Sequence, residues 1–245
     1  MTMLTIFYAL LFYVATLVFV VGLALKIRNY SKTPAPLKIP TGPTPKTTAG
    51  VAWRLAREVV FFESLFKASK WTWIFGWAFH AGLLVVVLSH LRYFQEPVWL
   101  PVVLIQPFSI YVAGFAMVAG LAGLWARRWL VDRVRYISTP SDHLHLALLL
   151  AIALSGLTMR FVLPTDIVAV KVFMLGLLRF DWQPLPADPI LLVHLALVAL
   201  LMMIFPISKL LHAPALFFSP SLNQADNARE TRHISAWASA LDKHS

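Results

Sequence analysis

Five long apolar runs leave this chain few ways to fold: they cover roughly residues 3–25, 71–93, 104–126, 144–163 and 190–211. A helix needs about 20 apolar residues to cross the hydrocarbon core of a bilayer. No water reaches that core, so each segment must bond its own backbone, and a helix does so within a single run. Composition agrees. Of the 245 residues, 59% are hydrophobic and 13% are charged, against about half and about a quarter in soluble domains. The expected fold is an all-α membrane protein, a five-transmembrane-helix bundle. The first run has no basic flank before it and no small-residue cleavage site after it. It is therefore expected to be a span, not a secretory signal.

Lys and Arg gather on the cytoplasmic side of membrane proteins. Nine lie in residues 26–70, four in 127–143 (Arg127, Arg128, Arg133, Arg135) and four at the C-terminal end (Lys209, Arg229, Arg232, Lys243). The opposite side holds four: Arg92, Arg160, Lys171 and Arg179. This asymmetry predicts the N-terminus outside and the C-terminus in the cytoplasm. The net charge of +10 is accordingly read as a topology signal, with no nucleic acid as partner. The expected organisation is a first span over 1–25, a cytoplasmic loop over 26–70, a four-helix core over 71–212 and a cytoplasmic tail over 213–245. Within the loop, residues 34–49 read as a Pro- and Thr-rich connector. Residues 51–70 read as an amphipathic helix on the membrane surface. The outer segment 164–189 is long, and its run FDWQPLPADP suits an ordered loop at the interface.

Histidines inside a bilayer are costly unless something uses them. His80 and His90 lie in FHAGLLVVVLSH, and His194 and His212 lie in HLALVALLMMIFPISKLLH. The chain has no cysteine, which excludes disulfides, iron–sulfur clusters and thiolate metal sites on it. The two runs are antiparallel, so depth pairs His80 with His212 on the inner side and His90 with His194 nearer the outside. Each pair could supply both axial ligands of a haem, and such iron, closed to other ligands, exchanges only electrons. The rises disagree, however. On unbroken helices the first pair of histidines is separated by about 15 Å and the second by about 27 Å, the latter on one face. Polar helix–helix contacts are the plain alternative. His145, in SDHLHLALLL, is deep enough to replace an inner ligand or to bond a haem propionate, whereas His143 belongs at the interface and His233 and His244 in a solvated tail. Ser141 or Asp142 is positioned to cap that helix.

At these residues a resemblance appears. FHAGLLVVVLSH followed by WLP, the basic loop ARRWLVDRVRYISTPSD, and HLALVALLMMIFPISKLLH are similar to segments of the gamma subunit of respiratory nitrate reductase, over about residues 70–216. The resemblance implies a dihaem cytochrome b with two haem b groups. It assigns His80 and His212 to the inner iron, and His90 and His194 to the outer iron beside a quinone/quinol site. The lysine that the family carries at the outer start of span three is missing, because no lysine occurs between Lys70 and Lys171. Arg92 and Arg160, with His90, are the candidates for quinone contact. Arg133 and Arg135 are candidates for haem propionates, through bidentate guanidinium–carboxylate bonding. The longer first loop and Ser89 in place of a glycine point to the related cytochromes of sulfur metabolism, such as the cytochrome b of the complex linked to dissimilatory sulfite reductase. That implies a cytoplasmic iron–sulfur partner of heterodisulfide-reductase type, other membrane-complex subunits, and a bacterial or archaeal cytoplasmic membrane whose lipid surrounds the bundle. The competing expectations are a nitrate reductase gamma subunit proper, a haem-free membrane anchor, and a proton-relaying transporter.

Overall fold

The computed structural model describes residues 2–34, 43–230 and 233–234. His244, Lys38, Arg232, Lys243 and much of the expected 34–49 connector lie outside the described residues. Among the described residues there are helices and no strand. In chain order they are α1 (Met3–Lys32), α2 (Thr48–Phe61), α3 (Glu63–Ala68), α4 (Lys70–His90), α5 (Leu100–Phe108), α6 (Gly114–Leu130), α7 (Asp132–Ile137), α8 (Pro140–Phe161), α9 (Ile167–Arg179), α10 (Pro189–Ile204), α11 (His212–Ala215) and α12 (Pro220–Asn223). Five helical stretches are long and apolar enough to span a membrane: Met3–Lys32, Lys70–Tyr93, Leu100–Leu130, Pro140–Phe161 and Pro189–Ile207. Each expected run is present. Large apolar side chains such as Phe7, Leu17, Leu84, Leu104 and Phe108 stand outward, as lipid-facing residues do and water-facing ones in such numbers do not.

Two departures have proline as their cause. Span three is continuous but contains a π-helical turn at Ser109–Ala113, just after Pro107. Proline offers no N–H to the ladder and crowds the preceding turn, and a wider turn absorbs the mismatch. In span five the α-helix stops at Ile204, and 3-10 turns follow at Phe205–Ile207 and Lys209–Leu211. Pro206 disfavours α geometry at the residue before it, and Ser208 turns the chain in extended geometry. The helix therefore does not run on to His212, and the one-face, 27 Å argument for His194 and His212 loses its premise. A smaller correction concerns α8. Its N-cap is Thr139, not Ser141 or Asp142; the Asp142 carboxylate accepts from the Thr139 N–H at 2.9 Å in a capping box.

The chain divides into two compact units. The first joins the chain up to Phe19 with Leu65–Ile204. In it α4 packs on α6, α6 on α8, and α8 on α10. Glycine makes the first of these approaches possible: a Cβ at Gly120 would stand 2.7 Å from both Phe75 O and Phe79 N, and one at Gly82 2.6 Å from Ala113 O. The core of this unit was not foreseen. Residues 164–189 are not simply a loop but contain α9, whose Val170, Phe173, Met174 and Leu177 bury themselves with Tyr8, Ala9, Leu185, Leu191 and Leu195. Their i, i+3, i+4, i+7 spacing is that of one helix face. Asp166 caps α9, accepting from Val168 N at 2.9 Å. Hydroxyls secure α1 there: Tyr8 donates to Leu192 O at 2.8 Å and Tyr13 to Leu177 O at 2.9 Å.

The second unit joins Val20–Ser64 with the chain from Phe205 onward. The amphipathic helix expected over 51–70 is two helices, α2 and α3, separated by Phe62 at φ 50°. Arg57 and Glu63 bridge the break at 2.9 Å. α2 packs on α12, and Gly22 lets Pro206 lie against α1.

Candidate functional site

The histidines share a local device. His80 Nδ1 lies 2.7 Å from Gly76 O, His90 Nδ1 2.7 Å from Val86 O, and His212 Nδ1 3.0 Å from Lys209 O. A carbonyl oxygen only accepts, so each Nδ1 carries the proton. His194 reaches the same state through a side chain. Ser155 donates its hydroxyl proton to Ile152 O at 2.9 Å, which leaves Ser155 Oγ to accept from His194 Nδ1 at 2.9 Å. Metal-ligating histidines are held in this way, with the far nitrogen bonded and the near one free. A helix supplies the acceptor without design effort, because the carbonyl of residue i−4 points along the ring.

His143 is a useful contrast. Its Nδ1 accepts from Trp125 Nε1 at 3.0 Å. An indole N–H only donates, so the proton of a neutral His143 sits on Nε2 and no lone pair is left for a metal. His145 shares that Nδ1 bond, at 2.6 Å from Ser141 O, and its buried Nε2 has no hydrogen-bond partner. His233 is bonded through Nε2 to Asn227 at 2.8 Å instead of being freely solvated.

Spacing between helices matters as much as tautomer. Helices in contact stand about 8–10 Å apart, too close for a porphyrin with an imidazole on each side. α4 and α10, which carry His80, His90 and His194, each pack on other helices and form no comparable interface with one another. His90 and His194 are nonetheless near enough to interact electrostatically. Among the described residues, no group of three or more His, Cys, Asp or Glu is gathered for a bare metal ion.

The charged candidates separate. Arg92 donates to Gln106 Oε1 at 3.1 Å, and Gln106 in turn donates to Ser89 O at 3.0 Å, beside His90. The His90 and Tyr93 rings are 5.8 Å apart. Arg92 and Arg160 both act electrostatically on Tyr93. Arg133 and Arg135 are exposed, and Arg135 pairs with Asp132 at 2.8 Å. Arg128 is the arginine that turns inward, donating to Ser138 Oγ at 2.9 Å and lying 3.7 Å from the buried Asp142 carboxylate. Sequence reading missed Ser155, Gln106, Tyr93 and Arg128 as participants. Ser155, Gln106 and Arg128 act across contacts between elements, which spacing along one run does not mark, whereas Tyr93 stands only three residues after His90.

The fold defines a multi-pass helical membrane protein. The chain belongs to the nitrate reductase gamma subunit family, which matches residues 48–222. It is 35% identical to the Hdr-like menaquinol oxidoreductase cytochrome b-like subunit of Archaeoglobus fulgidus, over 92% of this chain and 81% of that protein. It is 32% identical to the subunit of the same name from Archaeoglobus profundus, over 95% of this chain and 82% of that one.

Proposed function

We propose that this chain is the quinol-linked electron-transfer subunit of a membrane complex, holding two haem b groups and passing electrons to a cytoplasmic iron–sulfur subunit of heterodisulfide-reductase type in sulfur metabolism. The observation that carries this reading is the common bonding of the four rings, with Nδ1 held by a carbonyl or hydroxyl oxygen at His80, His90, His194 and His212. The names of the Archaeoglobus relatives, which are menaquinol oxidoreductase cytochrome b-like subunits, support it and point to a naphthoquinol.

In this reading His90 and His194 would hold the outer haem, and His80 and His212 the inner one. Iron held by two imidazoles exchanges single electrons while its ligands stay in place. The rest is done by the chain. Ser155 and the backbone carbonyls three or four residues back keep the imidazoles oriented, and the apolar helices exclude water. With the N-terminus outside, quinol is oxidised at the outer end and electrons leave inward. Moving one charge across the membrane involves about 2.3 kcal/mol per 100 mV, so the partners' potentials set the direction.

The test is a reduced-minus-oxidised visible spectrum of the purified chain with a haem assay. Two b-type haems per chain are expected. A preparation that binds none when expressed with haem supplied would overturn the reading in favour of a haem-free anchor.

A further inference from the structure

The few charges on the expected outer side are not scattered. A pocket of about 320 Å³ lies between the turn after α4 and the first half of α9, lined by Arg92, Glu96, Lys171 and an apolar wall of Ile167, Val168, Val172 and Leu175. Lys171 Nζ stands 3.6 Å from Glu96 Oε2, which is an ion pair but too long for a hydrogen bond. The ammonium side chain is three-quarters buried, at 24% exposure, while the carboxylate is largely exposed at 61%. A partly desolvated cation, loosely paired across an apolar recess, has donors left for a ligand oxygen. Arg92 faces the same recess, and its Gln106–Ser89 hydrogen-bond chain runs back to the end of α4 beside His90.

We propose that this pocket takes the headgroup of the quinol, with the ring against Ile167, Val168 and Val172 and a ring oxygen bonded by Lys171. The inference rests on the quinol-linked reading above and adds the place and the binding groups. It also accounts for the lysine absent from span three: α9 supplies the cation from a different part of the chain. Glu96, beside the same ring, is placed to accept a hydroxyl proton when the quinol is oxidised, its two electrons going to the haem that His90 would hold. The second proton passes to water at the exposed rim. Flat apolar walls with few polar anchors are what small-molecule sites usually present.

The experiment uses the full-length, haem-loaded chain in lipid nanodiscs and a short-chain naphthoquinol as reductant. The quantities read are the maximal rate of haem-band reduction and the quinol concentration that gives half that rate. Lys171→Ala is expected to raise that concentration about tenfold, the worth of one charge-assisted hydrogen bond. Lys171→Arg should restore part of the loss, and Glu96→Gln should slow reduction without changing that concentration. Chemical reduction by dithionite, the visible spectrum and the midpoint potentials should stay as in the parent. A photoreactive azido-naphthoquinone should label peptides of α9 in the parent and not in Lys171→Ala. If both Lys171 variants reduce like the parent and the label falls on another helix, the pocket is not the quinol site. If the parent binds no haem, the underlying reading fails instead, and α9 labelling still reports on the pocket by itself.

Discussion

His194 and His212 stand 18 residues apart in one apolar run, yet their surroundings differ in kind. His194 lies within a regular helix, and its proton is fixed by Ser155 on a neighbouring helix, which itself is anchored to Ile152. His212 follows two 3-10 turns, and its ring is bonded to Lys209, only three residues back. The first imidazole is oriented by tertiary packing and the second by a local turn. A ligand held across two helices resists reorientation, because moving it requires both helices to move. A ligand held by its own turn follows that turn. If both bind iron, the centre at His194 should be the stiffer one.

The sharpest way to break this comparison is deletion. His194→Ala and His212→Ala should each remove one haem per chain and leave the other, measured by haem content and the α-band of the difference spectrum. Loss of both haems in either variant would mean that the two sites are not separable. His145→Ala should retain both haems; loss of one would make its free Nε2 the inner ligand instead.

Ser155→Ala comes next. Outer partners of metal-bound histidine typically contribute about 10–100-fold in metal affinity or activity. Weakened haem retention and a shifted midpoint potential are expected at the His194 centre alone, with recovery in Ser155→Thr. A shift at both centres would end the claim that the hydroxyl acts through His194.

Gly22→Ala probes the other side of the comparison. A Cβ there would stand 2.6 Å from Pro206 Cβ, against the turns that lead to His212. Overpacking costs about 1–3 kcal/mol, and the potential of the His212 centre should move while that of His194 does not. Tyr8→Phe, by contrast, removes a single hydrogen bond to Leu192 at the base of α10. It should lower stability by about 1 kcal/mol in a denaturant titration and leave both spectra intact.

The smallest effect concerns Asp188, which caps α10 by accepting from Ile190 N at 2.9 Å. The Thr165 hydroxyl bonded to it, and then these backbone donors, hold its carboxyl below the usual range. A lowered folded-state value means that the carboxylate stabilises the fold above the unfolded value of about 3.9 and that this contribution fades as pH falls through the folded one. Thr165→Val should therefore shrink the drop in melting temperature between pH 6 and pH 3. An unchanged drop would show that the cap does not depend on ionised Asp188.

How much was legible in the sequence can be judged from particular elements. The apolar runs announced the five spans because membrane crossing needs about 20 consecutive apolar residues whatever the tertiary arrangement. The four histidines were legible because their cost in lipid makes them conspicuous. α9 escaped notice: at thirteen residues it is too short to span, and the proline-rich stretch beside it suggested a loop. The break after Ile204 was foreshadowed by Pro206, yet its consequence for the facing of His212 was not drawn from spacing alone.

The sequence by itself determined the all-helical, multi-pass class, through its apolar runs and the bilayer's demand for satisfied backbone groups, while its motif segments carried the family resemblance and its hydrophobic runs made the histidines conspicuous. Only the tertiary structure decided which hydroxyl fixes His194, that His143 offers no lone pair, that Arg128 turns inward, and that Lys171 joins Arg92 and Glu96 around one pocket. Those facts depend on side chains meeting from distant parts of the chain, and no spacing along a single run encodes such a meeting.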